Sequence, residues 1–333
     1  MFRIRYLFRL ITPALTAASL ACSDEITPVA PDLERAAPSG VSQEVGGPTP
    51  PVINGRIVFT VLATPGNRDI YSMNPDGTDR RQLTSGPADD WSPDVSPDGR
   101  KIAFTRREVP GTTEQVYVMA ADGSRNRKLT SFEPGTAREP AWSPDGKEIV
   151  FSGFPVGTEH ADLFVMSAAG KNIRRLTDFR DVPAVSVDQP AWSPDGKRIA
   201  FSHRGICSNV MMMNADGTGM TNVTTCGTGG GHAPSWSPDG SRIAYERVTT
   251  LESILEVKAV VGQSVQQIAT NLRAGFGGPA WSPDGTKLVY PGIATVDGFP
   301  RATLIAIGRD GSGMQPLVPA GTAGTFPAWG RSR

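Results

Sequence analysis

One heptapeptide, Pro-Ala-Trp-Ser-Pro-Asp-Gly, returns along this chain and constrains its fold more than any other feature. Full copies start at residues 140, 190 and 279, and a copy with Ser for Ala starts at residue 234. A degenerate copy with Val95 in place of Trp comes earlier, and a truncated copy ends the chain. The Ser-Pro-Asp-Gly parts recur every 44 to 50 residues. A period of this size predicts a repeat architecture.

Each repeat contains the same succession of short apolar runs and turns. In the first complete repeat, Ile-Ala-Phe at residues 102–104 follows the motif, and Val-Tyr-Val-Met at residues 116–119 follows a loop. An Asp-Gly turn and a run that ends in Leu-Thr at residues 129–130 complete it. Such β-branched and aromatic runs, bounded by Gly, Pro and Asp, are typical of strands. We therefore predict a four-stranded antiparallel meander per repeat, with Ser-Pro-Asp-Gly as the turn between its first two strands.

The two ends of the repeat array complement each other. The run Arg-Ile-Val-Phe at residues 56–59 has no inner strand before it, whereas an inner strand at residues 326–330 has no second strand after it. Ring closure, with the C-terminal strand as the innermost strand of the first blade, satisfies both ends and protects the sheet edges. The predicted fold class is all-β, a six-bladed β-propeller of four-stranded antiparallel blades over residues 53–330.

The repeat resembles that of TolB-type propellers. The resemblance is carried by Trp-Ser-Pro-Asp-Gly-Lys-x-Ile-Ala-Phe, by Val-Met-x-x-Asp-Gly and by Arg-x-Leu-Thr, and it covers nearly the whole chain after the N-terminal segment. Similar repeats occur in the propellers of prolyl-oligopeptidase-like peptidases, so the resemblance implies the fold more sharply than the function. TolB-type proteins carry an α/β domain before the propeller, whereas here we predict only a tether.

The N-terminus has the pattern of an export signal. A basic stretch precedes a short apolar core at residues 10–20, which is too short for a permanent membrane span. Ala21-Cys22 ends this core and resembles a bacterial lipobox, so we predict a signal peptide at residues 1–21 and lipidation at Cys22. Ordinary signal cleavage nearby is the alternative. Residues 22–52 are rich in Pro, Ala, Ser, Gly and Glu, and we predict a disordered tether there.

The composition restricts the partners. The chain has 33 Lys and Arg against 33 Asp and Glu, which excludes the cationic excess of a nucleic-acid binder. No Gly-x-Ser-x-Gly, phosphate loop or dinucleotide fingerprint is present. We therefore expect no cofactor and no catalytic residues, a monomer, and membrane contact only through the lipid anchor.

The two ends of the predicted propeller differ in variability. We name the end with the Ser-Pro-Asp-Gly and Asp-Gly turns the turn face, and the opposite end, with the connections between second and third strands and between blades, the loop face. Binding scaffolds keep the residues that determine the fold constant and vary the residues that contact the ligand. We therefore predict that the loop face, which varies between repeats, is the binding face. We expect the channel mouth to be formed by residues just before the inner strands and by nearby loop residues. The candidate binding residues are Asp89, Asp90, Arg138, Glu139, Asp188, Gln189, His203 and His232. The alternative at each position is a solvated loop side chain.

Cysteines and histidines add two further hypotheses. Cys207 and Cys226 fall on the loop face of one repeat, and in an oxidising compartment they form a candidate disulfide, with two free thiols as the alternative. His160, His203 and His232 share this face, but no metal-ligand spacing links them, and scattered surface histidines are the favoured interpretation. We therefore predict no metal site.

These observations favour a non-enzymatic scaffold or binding lipoprotein of the bacterial cell envelope, exported and lipid-anchored. It would bind an envelope protein, a peptide or a glycan with the loop face. The alternative from another class is a carbohydrate-active enzyme of the polysaccharide lyase type at the same mouth, with metal assistance. A third interpretation is an orphan of the peptidase propellers that gates access for a separate hydrolase.

Overall fold

The structure, a computed structural model, describes residues 54–64, 66–109, 111–132, 135–155, 158, 160–179, 182, 185–205, 208–225, 229–262, 264–270, 277–296, 299–318 and 324–331. These residues form six four-stranded antiparallel sheets, which are the blades of a six-bladed propeller. The fold class predicted from the repeat is confirmed.

The blades follow the chain in order, and the strands of each are given from the innermost to the outermost. Blade one comprises β24 (Gly324–Arg331), β1 (Asn54–Thr64), β2 (Asn67–Met73) and β3 (Arg81–Gln82). Blade two comprises β4 (Asp89–Val95), β5 (Lys101–Arg107), β6 (Gln115–Ala120) and β7 (Arg127–Lys128). Blade three comprises β8 (Thr136–Trp142), β9 (Glu148–Phe154), β10 (Asp162–Ser167) and β11 (Arg174–Arg175).

Blades four to six repeat this arrangement. Blade four comprises β12 (Ser186–Trp192), β13 (Arg198–Arg204), β14 (Asn209–Asn214) and β15 (Thr221–Asn222). Blade five comprises β16 (Gly229–Trp236), β17 (Arg242–Thr249), β18 (Ser253–Ala259) and β19 (Val265–Thr270). Blade six comprises β20 (Ala280–Trp281), β21 (Lys287–Val296), β22 (Phe299–Gly308) and β23 (Gln315–Pro316).

The C-terminal strand closes the ring. In blade one, β24 pairs antiparallel with β1, with Ile57 opposite Trp329 and Val58 opposite Ala328. The indole N–H of Trp329 donates a 2.9 Å hydrogen bond to the carbonyl of Gly55. Residues that lie some 270 positions apart in the chain therefore share one sheet, as ring closure requires.

The core lies between the blades. The second strand of each blade is buried on both faces, because each blade packs against two neighbours; in β5, Ile102, Ala103 and Phe104 are at most 1% exposed. Among the described residues, six hydrophobic clusters correspond to the six interfaces between adjacent blades. Trp142 packs with blade-two residues, and Trp281 packs with blade-five residues. The motif tryptophan thus fills the gap between neighbouring sheets, where burying one large apolar side chain contributes about 2–3 kcal/mol.

Hydrogen bonds join the two short turns of each blade on the turn face. In blade two, Gly99 N–H donates to the Ser96 carbonyl, and the Asp98 carboxylate accepts from the Ser96 hydroxyl at 2.7 Å and from Arg100 N–H at 3.0 Å. Ala121 N–H, at the Asp-Gly turn, donates to the Arg100 carbonyl at 2.9 Å. Equivalent turn-to-turn bonds occur in blades three to six. The prediction that both turns share one face is confirmed.

Glycines of the outer turns pack against the preceding blade. A Cβ on Gly123 would lie 2.6 Å from the carbonyl oxygen of Leu83, and one on Gly170 would lie 2.6 Å from that of Leu129. Both glycines also have positive φ, +88° and +80°. The turn therefore needs glycine for its backbone conformation and for close approach to the neighbouring blade.

Several connections that were predicted as loops are strands. The spacing of the apolar runs predicts loops between the second and third strands at residues 62–68, 247–252 and 291–301. Instead, Leu62 pairs with Arg68, β17 continues to Thr249, and Ile293 pairs with Ala302. The loop prediction is wrong for these segments because β-branched residues extend the hairpin ladder beyond the blade, most of all in β21 and β22.

Several predictions lie outside the described residues. They include the signal peptide, lipidation at Cys22, the tether, and the pairing of Cys207 with Cys226, and all of them stay predictions. Within the described part of the chain, no helix has the length and hydropathy needed to cross a bilayer.

Candidate functional site

The inner strands bulge at the residue that precedes the motif proline. The ladder register shifts there in β4, β8, β12 and β16. The bulged residue has a left-handed backbone although it is not glycine. These residues and their φ angles are Ser92 (50°), Glu139 (56°), Gln189 (53°), Ala233 (51°) and Phe326 (47°). Such a conformation costs on the order of 1 kcal/mol or more at each position, so the surrounding structure must impose it.

Buried hydroxyls of the preceding blade hold some of these bulges. Glu139 N–H donates to Thr105 Oγ1 at 2.8 Å, and Ala233 N–H donates to Ser202 Oγ at 2.8 Å. Thr105 and Ser202 are fully buried. Each such bond satisfies an amide that the bulge removes from the sheet ladder, which stabilises the interface between two blades.

The bulge of blade four uses a carboxylate instead. Gln189 N–H donates to Glu139 Oε2 at 3.0 Å, while the equivalent hydroxyl, Ser152 Oγ, donates to the Val187 carbonyl at 3.0 Å. Glu139 therefore replaces the hydroxyl of the usual pattern and brings an ionisable group to this position.

The inner strands enclose a central lumen of about 540 Å³. Its wall consists of the five bulged residues, the prolines and tryptophans of the motif, Gly277 and Gly278 in blade six, and Asp94. Most of these side chains are apolar or small. Asp94 and Glu139 are the ionisable residues among the described residues of this wall. The volume lies within the range of ordinary ligand pockets.

Asp94 occupies a position that carries Ala or Ser in the other repeats. Its Oδ2 accepts a hydrogen bond from Trp142 N–H at 2.7 Å. Burial raises the pKa of Asp94 to about 6, and the backbone N–H groups of Trp142 and Val95 only partly oppose this effect. Near neutral pH, the lumen thus holds a carboxyl group that changes charge readily.

The pKa of Glu139 is raised further than that of Asp94. Burial raises its pKa to about 7, and the nearby Asp188 adds to the rise, while Arg138, the Gln189 N–H and Arg204 oppose it. Two carboxyls with raised pKa values therefore line one lumen, and both bind protons more tightly than exposed carboxyls do.

A mixed-charge cluster adjoins Glu139 on blades four and five. Arg204 Nε donates to Asp188 Oδ2 at 2.6 Å, and Asp188 is 4% exposed. Within the described residues, Asp188 Oδ1 and His232 Nδ1 are buried without a hydrogen-bond partner. Burial, and next the charge of Arg204, lower the pKa of His232. This cluster offers an unpaired acceptor and a neutral imidazole beside the lumen.

Asp89 and Asp90 contact arginines at the interface of blades one and two. Asp89 accepts from Arg68 and Arg107, each at 2.7 Å, and Asp90 accepts from Arg106 at 2.7 and 2.8 Å. Burial opposes the ionisation of Asp89, but the hydrogen bonds and charge of Arg68 outweigh it and lower the pKa. The Arg68 pair joins the two blades, whereas the Arg106 and Arg107 pairs connect the two inner strands of blade two.

The remaining candidates lie away from the lumen wall. Arg138 stacks over Phe154 at 4.5 Å, and His203 contacts Phe179 edge-on at 5.6 Å. Burial lowers the pKa of His203. Within the described ranges, no group of three His, Cys, Asp or Glu residues is arranged to hold a metal ion.

The predicted placement of the site was partly wrong. The candidates were expected just before the inner strands or in loops. Instead, they lie inside strands: Asp89 and Asp90 in β4, Arg138 and Glu139 in β8, Asp188 and Gln189 in β12, His203 in β13, and His232 in β16. The bulge lets the inner strand continue past the proline, which the repeat pattern did not reveal. Glu139 and Gln189 reach the lumen wall.

The profile of the family described as the TolB beta propeller domain matches residues 48–152 and 124–333. The chain belongs to this family. A protein named Protein TolB homolog, from Chlorobium luteolum, is 46% identical over 66 residues, which are 20% of this chain and only 14% of that protein. The chain therefore aligns with far less than two thirds of that relative.

Solved structures of TolB proteins share the fold. TolB from Acinetobacter baumannii superimposes with a TM-score of 0.70 at 22% identity, over 83% of this chain and 66% of that one. The protein assigned as TolB in Agrobacterium tumefaciens gives a TM-score of 0.60 at 22% identity, over 79% of this chain and 88% of that one. The TolB-like identity suggested by the repeat is confirmed at the level of family and fold.

Proposed function

We propose that this chain is a non-enzymatic binding protein of the bacterial cell envelope, anchored by lipid at Cys22, that takes its ligand in the central lumen, whose wall reaches from the bulged residues to the Ser-Pro-Asp-Gly prolines. Membership of the TolB propeller family supports an envelope location. The observation that carries the binding role is the pair of carboxyls, Asp94 and Glu139, on the wall of a lumen of about 540 Å³.

The chemistry of this pair favours a cationic ligand group. An ammonium or guanidinium group that enters the lumen would stabilise the ionised carboxyls and offset their desolvation. Gln189, beside Glu139, supplies an amide side chain on the same wall. Among the three ligand classes expected for the loop face, a protein loop or peptide with a Lys, an Arg or a free amino terminus fits best, because neutral glycans carry no such group.

Crosslinking capture from the native envelope tests this proposal. The test variant Asp94→Asn/Glu139→Gln removes both lumen charges with little change in shape. The matched control, Asp122→Asn/Asp310→Asn, removes two exposed carboxylates on the turn face. We expect the captured protein or peptide to be lost with the lumen variant and retained with the control, with both variants folded by circular dichroism. Equal capture by both variants would overturn the proposal.

The lyase alternative gives a different result. Turnover of an acidic polysaccharide by the purified protein, together with stoichiometric bound metal, would replace the binding proposal by an enzymatic function at the same mouth. Anionic sugars would have to enter a lumen lined by two carboxyls, which charge repulsion opposes at alkaline pH.

A further inference from the structure

The turn face carries an uneven distribution of charge. We compared its two turns and their flanking residues between blades. In blades two and three, these segments contain nine Lys and Arg residues but only four Asp and Glu residues. The segments counted are residues 96–101, 120–128, 143–148 and 167–175. In the other four blades together, nine cations and seven anions occupy the described equivalents, residues 54–56, 74–82, 193–198, 214–222, 237–242, 259–262, 264–267, 282–287, 308–316 and 330–331. Most of the positive excess of this face therefore lies in two adjacent blades.

The Lys and Arg residues of these turn segments in blades two and three form one continuous surface, which we name the basic sector. Arg127 of blade two donates to the Ala169 carbonyl in the outer turn of blade three at 3.3 Å. Within blade three, Ala168 N–H donates to the Lys147 carbonyl, which joins the two turns. Arg125, Lys171 and Arg174 are exposed there. The exposed cations of both blades thus project from one fused set of turns.

Few anions neutralise the exposed cations of the basic sector, although Arg175 is paired with Asp162 and Asp178. Arg174 lies 3.9 Å from Glu148, with side chains 45% and 42% exposed, and Lys147 lies 3.4 Å from Asp145 with both side chains more than half exposed. Ion pairs this exposed are weak. The cations therefore keep most of their attraction for an external anion within a Debye length of about 8–10 Å.

The chain reaches the propeller at the same face. β1 begins at Asn54, opposite Arg331, and Arg56 donates to the Asp79 carboxylate at 2.7 Å and to the Asn74 side chain in the outer turn of blade one. Strand β1 therefore starts on the turn face.

We propose that the basic sector docks on anionic phospholipid headgroups, so that the turn face lies toward the bilayer and the loop face points away from it. The orientation rests on the lipid anchor at Cys22 in the proposed function, because that anchor precedes β1, which starts on the turn face. Each Lys or Arg near an anionic surface contributes roughly a fivefold gain in membrane affinity. A cluster of this size then fixes an orientation that a flexible tether alone would leave free.

Vesicle sedimentation tests the sector without the anchor. The full chain with Cys22→Ala, which prevents acylation, is mixed with vesicles of phosphatidylcholine alone or with about one third phosphatidylglycerol. The test variant adds Arg125→Asn, Lys171→Gln and Arg174→Gln, where Asn suits the left-handed backbone at position 125 (φ 58°). The matched control adds Lys197→Gln, Lys287→Gln and Arg309→Gln, which removes three exposed cations of the turn face from other blades.

We expect the affinity for anionic vesicles to fall at least tenfold in the basic-sector variant and less than twofold in the control. High salt should abolish the difference, and phosphatidylcholine vesicles should not distinguish the chains. Equal losses in the two variants, or binding that does not depend on phosphatidylglycerol, would overturn the proposal. The envelope capture uses lumen variants that leave every cation of the basic sector in place, so either proposal can fail while the other stands.

Discussion

The carboxylate of Asp94 accepts a 2.7 Å hydrogen bond from the backbone N–H of Trp142 and so connects the inner strands of blades two and three. The bond places an ionisable group in the lumen wall, where the other repeats have Ala or Ser. Blade two is thereby distinguished from the other five at the centre of the ring.

Asp94→Asn should make stability less sensitive to pH. The folded pKa of Asp94 is about 6 against an ordinary value of 3.8, so between these values the folded state binds more protons than the unfolded state. Its contribution to stability is present below about pH 4 and is lost as the pH rises through 6. Relative to the wild type, the Asn variant should gain about 3 kcal/mol between pH 4 and pH 7. Urea unfolding at several pH values measures this difference, and a gap independent of pH would contradict it.

Gly123→Ala should destabilise the propeller more than Gly111→Ala. Both glycines have φ of +88°, so the backbone strain of an alanine is the same at both positions. A Cβ at Gly123 would meet the Leu83 carbonyl oxygen at 2.6 Å, whereas one at Gly111 would meet nothing within 4 Å. We expect roughly 1 kcal/mol for Gly111→Ala and at least 1–2 kcal/mol more for Gly123→Ala. Equal shifts in urea midpoint would show that the turn does not press on blade one.

Trp329→Ala should weaken ring closure. The side chain packs against the cluster between blades six and one, and its N–H bonds to the Gly55 carbonyl. We expect a loss of about 3 kcal/mol in the free energy of unfolding. Trp329→Phe keeps the packing and should lose only about 1 kcal/mol. Leu251→Ala, at a side chain 93% exposed, serves as the control and should stay near zero by thermal melting.

Arg106→Met should be more damaging than loss of the whole pair. Asp90 is 1% exposed and takes two hydrogen bonds from Arg106. Removing the arginine alone leaves a buried charge and should cost about 3–5 kcal/mol. The double variant Arg106→Met/Asp90→Asn has no buried charge, so it should recover part of the lost stability. A double-mutant cycle by urea unfolding gives the coupling, and additive losses would argue against a buried pair.

Much of the fold followed from the repeat. The surplus inner strand near Trp329 and the missing one before Arg56 required a closed ring, and the recurrence of Ser-Pro-Asp-Gly identified the turn face. These features repeat in every blade because every blade needs the same sheet and the same turn. Periodicity therefore reports them directly.

The candidate site was harder to predict because its features depart from the repeat. The left-handed backbone of Glu139 and Gln189 has no side-chain signature, since neither residue is glycine. Asp94 did leave a signal: it is the charged residue at a position otherwise occupied by Ala or Ser. The degenerate motif around Val95 lacks the tryptophan and adds this carboxyl. The long β21–β22 hairpin was missed because extended pairing beyond a blade follows no period.

The pairing of Asn54 with Arg331 has a consequence for how the chain order relates to the structure. Since the two strand ends are neighbours in one sheet, a short linker could join them, and the backbone could then be opened at the exposed tip near Leu251 between β17 and β18. Such a circular permutant would keep all six blades and every interface between them. The blade at which this polypeptide starts is thus interchangeable, whereas the sequence of neighbours around the ring is not.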